Sequence, residues 1–111
     1  MINIQNYKPV KNITKDMLKE NNFRNIDGYY SYRFPVYSYK KESLLWAIFY
    51  IDLENSTCSI NVIDNNNNTY AAYYNTTYGQ NNKVVEIIHK KIETQLNIFI
   101  KNKLIKKKKT K

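Results

Sequence analysis

Apolar positions along this chain switch between helical and strand periods, and each switch marks an element. In ITKDMLKENNF, Thr14 stands where an N-cap is needed, and Asp16 in the first turn suits the positive end of a helix. Ile13 and Leu18 hold the two positions of a hydrophobic staple, so a short helix is predicted over 14–21, left through Asn21 and Asn22. Asp27-Gly28 breaks the chain and opens YYSYRFPVYSY, where the period is two. Tyr30, Tyr32, Phe34 and Val36 fall on one face of that strand, and Tyr29, Arg33, Tyr37 and Tyr39 on the other. Pro35 cannot donate a ladder hydrogen bond, so the strand belongs at a sheet edge or carries a bulge. Lys40-Lys41-Glu42-Ser43 reads as a hairpin turn.

LLWAIFYIDL, 44–53, is apolar on both faces, as in a central strand covered on both sides, or on one side by the fold and on the other by a partner. After a turn at Glu54-Asn55-Ser56, TCSINVI alternates strictly, with Cys58, Ile60 and Val62 inward. Asp64 and the asparagines at 65–68 form a loop, and TYAAYY, 69–74, reads as a fourth strand. A polar loop over 75–82 contains Gly79 and leads into a long helix from Lys83, with Asn81 or Asn82 as its cap. Val85, Ile88, Ile92, Leu96 and Phe99 form one apolar stripe at helical spacing. Ile87, Ile98 and Ile105 form a second, thinner stripe on nearly the opposite side, either a face toward a second copy of the chain or an excess of isoleucine covered by lysine stems. The expected fold is α+β: a short N-terminal helix, a four-stranded antiparallel meander, and a long C-terminal helix packed on one face. It forms one domain over 1–105, followed by a flexible lysine-rich tail over 106–111, because no apolar pattern holds those residues.

Composition qualifies this picture. Asn, Lys, Ile and Tyr dominate, the residues of A- and T-rich codons, so bulk richness in Lys or Tyr is weak evidence of binding while placement is stronger. Residues 1–82 hold eight Lys/Arg against seven Asp/Glu; residues 83–111 hold ten Lys against two Glu, so most of the net +9 sits in the last quarter. A basic end of this kind suits an acidic partner. Lys101, Lys103, Lys106, Lys107, Lys108 and Lys109 are the expected phosphate-binding residues, giving salt-sensitive attraction without sequence readout. The lone Cys58 excludes an intrachain disulfide and fits a reducing, cytoplasmic setting. The opening MINIQNYKPVKN has no apolar signal region, and the run LLWAIFYI is too short to span a bilayer, so no membrane role is expected.

Candidate chemistry is sparse. His89 is the only histidine and borders the core stripe; with no paired Cys or acidic cluster, no metal site is expected and no cofactor is implied. Cys58 sits among inward-facing residues, where a thiol is inert, so no catalytic residue is assigned. Asp52, Glu54 and Asp64 lie at strand ends and turns, and the four Asn-x-Ser/Thr sequons follow from the abundance of asparagine. The eleven tyrosines carry more information. Tyr29, Tyr37 and Tyr39, sharing a face with Arg33, form a protein-binding surface, a base-stacking one, or simply fill the rim of the core of a small domain.

The order of elements, with Leu18, Asn21 or Asn22, Phe23, Tyr30, Tyr32 and the helix VVEIIHKKIETQL, resembles small orphan proteins of phages and mobile elements. That group includes anti-CRISPR proteins. The resemblance implies a non-enzymatic inhibitor that docks on a host protein or nucleoprotein complex handling nucleic acid. The basic C-terminus departs from the acidic, DNA-mimicking members, and no functional residue carries over. The alternative is a module that binds RNA or DNA directly through its basic end and its sheet tyrosines.

Overall fold

Two pairs of residues in left-handed backbone conformation shape the sheet. The computed structural model describes residues 4–74 and 83–108. Asp27 and Gly28 adopt φ of 50° and 87°, and Lys40 and Lys41 adopt 50° and 68°, the positive values that a tight two-residue hairpin turn demands. The first turn joins β2 (Arg24–Ile26) to β3 (Tyr29–Tyr39), and the second joins β3 to β4 (Glu42–Asp52). A longer turn, in which the Asp52 carboxylate accepts from the Asn55 backbone N–H at 3.2 Å, leads to β5 (Thr57–Asp64). The four strands are antiparallel in the order β2-β3-β4-β5, a meander.

The fourth strand is therefore Arg24–Ile26, not 69–74. In the latter segment only Thr69 bridges back, to Ile63, and Tyr70 donates to the Val62 carbonyl at 2.8 Å. Asp64 closes the preceding loop by accepting from the backbone N–H groups of Asn66 and Asn68. The chain then turns helical over Ala71–Tyr74 (α2), where two alanines favour helix.

The expected helix over 14–21 is the six-residue segment Lys15–Glu20 (α1), with the Thr14 hydroxyl accepting from the Met17 N–H at 3.2 Å. The long helix, α3, runs Lys83–Lys101 and buries Val85, Ile88, Ile92, Leu96 and Phe99. Its expected caps, Asn81 and Asn82, and the loop around Gly79 lie outside the described residues. α3 packs on one face of the sheet, where Phe99 stacks on Phe49 at 5.1 Å between ring centres and meets Phe23 and Tyr32 at 5.3 Å each. Such ring pairs add to the area they bury.

The chain end corrects two further expectations. α3 stops at Lys101, Lys103 takes φ 63°, and the Leu104 N–H returns to the Phe99 carbonyl at 3.0 Å. This reversal buries Leu104 and Ile105 in the core, so Ile105 does not join the outer stripe of Ile87 and Ile98. Ile105–Lys107 forms a strand, β6, that pairs antiparallel with β1 (Tyr7–Pro9) in a separate two-stranded sheet. The Lys108 N–H extends the pairing to the Asn6 carbonyl at 2.7 Å. Lys106 to Lys108 are thus held by backbone hydrogen bonds rather than left as the free tail expected from their lack of apolar side chains; Lys109 and the residues after it lie outside the described residues.

Candidate functional site

A bulge divides the tyrosines of β3. Pro35 pairs with Trp46, but the next pair is Tyr37 with Leu45, so Val36 is an extra residue and the side-chain alternation reverses there. The strand also lacks a neighbour on its other side beyond Ser31, so Pro35 has both features foreseen for it, an edge position and a bulge. Directly opposed residues of an antiparallel pair share a face. Tyr37 shares the core face with buried Leu45 and packs against the core from its rim. Tyr39 is exposed beside the hairpin turn, with the Lys40 ammonium 5.5 Å above its ring. Of the four expected docking residues, only Tyr29 and Arg33 point away from the core on the regular part of the strand; the structure does not gather Tyr29, Arg33, Tyr37 and Tyr39 on one surface.

The face of the sheet opposite α3 carries a different group. Across the strands, one row reads Arg24, Ser31, Tyr50, Ser59, the next Arg33, Ile48, Asn61, and a third Pro35, Trp46, Ile63. Together Arg24, Ser31, Arg33, Trp46, Ile48 and Tyr50 line most of an open groove of about 550 Å³. Trp46 is the only tryptophan of the chain, and Arg24 and Arg33 are its only arginines beside sixteen lysines. The Arg33 guanidinium lies over the indole, 4.6 Å from the ring centre. The indole N–H donates to the Asn65 side-chain oxygen at 2.9 Å, which fixes the ring's orientation.

No carboxylate occupies these rows, and among the described residues neither arginine forms an ion pair. Asp52, near one end of the sheet, is engaged elsewhere: its carboxylate accepts from the Asn55 amide at 2.7 Å, and this bond holds its pKa below the usual carboxylate range. The groove therefore combines an anchored indole and a tyrosine ring with two cations that form no ion pair among the described residues. It can stack on a planar group and hold an anion.

In overall fold the chain is similar to the crystal structure of a DUF1831 family protein from Lactobacillus plantarum, with a TM-score of 0.64 and 12% identity over 90% of this chain and 84% of that one. At that identity the likeness is one of fold alone. No family model matches the chain, and no curated protein matches its sequence.

The lysines expected to bind phosphate are dispersed. Lys101 ends α3, Lys103 sits in the turn, and Lys106 faces Lys8 across the small sheet. Lys107 lies on the other face, its ammonium 5.9 Å from the centre of the Tyr7 ring, and Lys109 lies outside the described residues. Ile87 and Ile98 are both exposed on α3, and Ile87 borders a smaller cleft of about 280 Å³ beside Pro35 and Tyr37. Burial pushes the Cys58 thiol up to about 12, with the Lys108 charge pulling weakly the other way, so the thiol stays protonated at neutral pH. His89 pairs with Glu93 one turn along α3 at 3.5 Å, and no hydrogen bond joins it to Cys58. Among the described residues no three His, Cys, Asp or Glu side chains converge to hold a metal ion, and no helix is long and apolar enough to cross a membrane.

Sequence reasoning singled out Arg33 but missed Arg24, Trp46 and Tyr50. Arg24 lies on a strand that was not foreseen, and the other two lie on a strand read as covered on both sides or on one side plus a partner, without a choice of which residues would meet that partner. The Asp27-Gly28 pair was the available signal, because such a turn requires a strand on each side of it.

Proposed function

We propose that this protein is non-enzymatic and acts by binding, with the outer face of the four-stranded sheet as its contact surface. One observation carries the reading: the only tryptophan and both arginines of a lysine-dominated chain line one open groove. Tryptophan, tyrosine and arginine are the side chains that concentrate binding energy at interfaces. The role implied by the resemblance, docking on a host complex that handles nucleic acid in the cytoplasm, belongs to this proposal. A face of rings and guanidinium groups can meet either the protein or the nucleic acid of such a complex.

Capture from bacterial lysate on immobilised protein, with and without nuclease treatment, tests the contact surface. The unmutated chain and an Arg24→Ala/Arg33→Ala/Trp46→Ala variant, shown by circular dichroism to be folded, are compared. The variant is expected to lose the specific partner. Identical capture by both would show that binding lies elsewhere.

A further inference from the structure

We infer that the groove takes single-stranded nucleic acid, with a base stacked on the Arg33–Trp46 pair and a backbone phosphate held by Arg24. This rests on the outer face being the contact surface and names its ligand.

Three features select this ligand. The first is the residue type of the cations. The chain uses lysine at sixteen positions and arginine at two, and both arginines line the groove. Lysine supplies a point charge, whereas a guanidinium is flat, stacks on rings and bonds phosphate in a fork. The second is the stack itself. With the indole anchored by Asn65 and the central guanidinium carbon of exposed Arg33 over it, 4.6 Å from the ring centre, the pair offers a flat cation and a ring against which one more planar group can pack. Bases stack on aromatic rings and on arginine planes in this way. The third is charge complementarity. The two guanidinium groups have no carboxylate partner among the described residues, on a chain of net charge +9.

The groove is a shallow feature of a sheet face, so the base must come out of its own stack to reach it. A single strand offers bases in that state, and a duplex does not. Tyr50, in the row of Arg24, supplies a second ring near the phosphate-holding cation. Ser31, Ser59 and Asn61 give the same face polar groups between the rings.

Trp46 is the only tryptophan, so its fluorescence reads the groove and nothing else. The probes are mixed-sequence 12-nucleotide RNA and DNA single strands, the matching duplexes, and polyglutamate as a protein-like polyanion. A saturable change in indole emission is expected with one or both single strands, with at least tenfold weaker binding of the duplexes and of polyglutamate. Arg33→Lys keeps the charge but loses the plane, and it should weaken single-strand binding on the order of tenfold. Arg24→Gln should reduce the slope of log affinity against log salt by about 0.7, the value for one phosphate on a single strand. Changing Lys106, Lys107 and Lys108 to Ser should leave the emission change at saturation intact.

Equal binding of duplex or polyglutamate, unchanged affinity in Arg33→Lys, or loss of the emission change in the lysine variant would each overturn the inference. So would the absence of any response to single strands. If lysate capture still depends on Arg24, Arg33 and Trp46 in that case, only the ligand is wrong. If neither measurement depends on them, the contact surface itself is wrong.

Discussion

Truncation after Ile105 removes a run of lysines with no apolar pattern, and sequence logic would expect almost no loss of stability. The structure gives a different answer. The cut deletes the pairing of Lys106 with Lys8 and of Lys107 with Tyr7, together with the hydrogen bond from the Lys108 N–H to the Asn6 carbonyl. Two or three backbone bonds at ~0.5–1.5 kcal/mol each set the scale of the loss. Removing Lys106 also relieves repulsion with Lys8 directly opposite, worth a few tenths of a kcal/mol to about 1 kcal/mol. The net expectation is a loss of about 1–3 kcal/mol, or a fall in melting temperature of roughly 5–15 °C for a domain of this size. The companion variant, with Lys106, Lys107 and Lys108 changed to Ser, keeps the backbone and should melt at or slightly above the unmutated protein. Thermal unfolding followed by circular dichroism reads both. A truncated chain that melts within about 2 °C of the full one would refute the reasoning and make the small sheet energetically idle.

Four further outcomes follow from the same geometry. Tyr37→Ala should cost about 1–3 kcal/mol because the ring packs on the core, whereas Tyr39→Ala should stay within about 0.5 kcal/mol; urea unfolding of both tests the bulge, and equal effects would contradict it. Lys41→Gly, at a φ of 68°, should stabilise by about 0.5–1 kcal/mol in the same assay, and destabilisation would mean the hairpin turn is not of the type described. The thiol of Cys58 is raised from 9.0 to about 12 on folding, so its contribution is complete below pH 9.0 and is lost as pH rises through about 12. The stability difference between the unmutated protein and Cys58→Ala should therefore shrink across that window, and a constant difference would contradict the burial argument. Glu substitution of both Ile87 and Ile98 should leave the melting temperature unchanged, since both are exposed; a drop, accompanied in sedimentation by conversion of a dimer to a monomer, would mean that this row joins two copies.

Where side-chain pattern and backbone pairing agree, the sequence was enough. α3 could be read because five buried positions repeat at helical spacing, and β5 because its alternation reflects one covered face. The errors fall where backbone geometry decides. Arg24–Ile26 has no alternation because all three residues are exposed, and it becomes a strand through the turn that follows it. Ile105–Lys107 becomes one through pairing with residues almost the whole chain away, a contact with no local signature. The segment 69–74 is rich in tyrosine, which favours a strand by residue type, but its tyrosines stand at 70, 73 and 74, a helical spacing, and the Asp64 loop precedes a helical turn over Ala71–Tyr74.

The site was half legible for a related reason. A period-two reading assigns every second residue of β3 to one face, and a single extra residue at Val36 breaks the assignment for Tyr37. Trp46, Ile48 and Tyr50 alternate with Ala47, Phe49 and Ile51, but every one of these is apolar or aromatic, so the pattern does not tell a strand buried on both sides from one with a face left for a partner. Only the position of α3 decides which set lies in the core. The arginines were a signal that composition alone could have supplied. In a chain with sixteen lysines, both arginines line the groove beside the anchored indole, and the proposed contact surface rests on that placement.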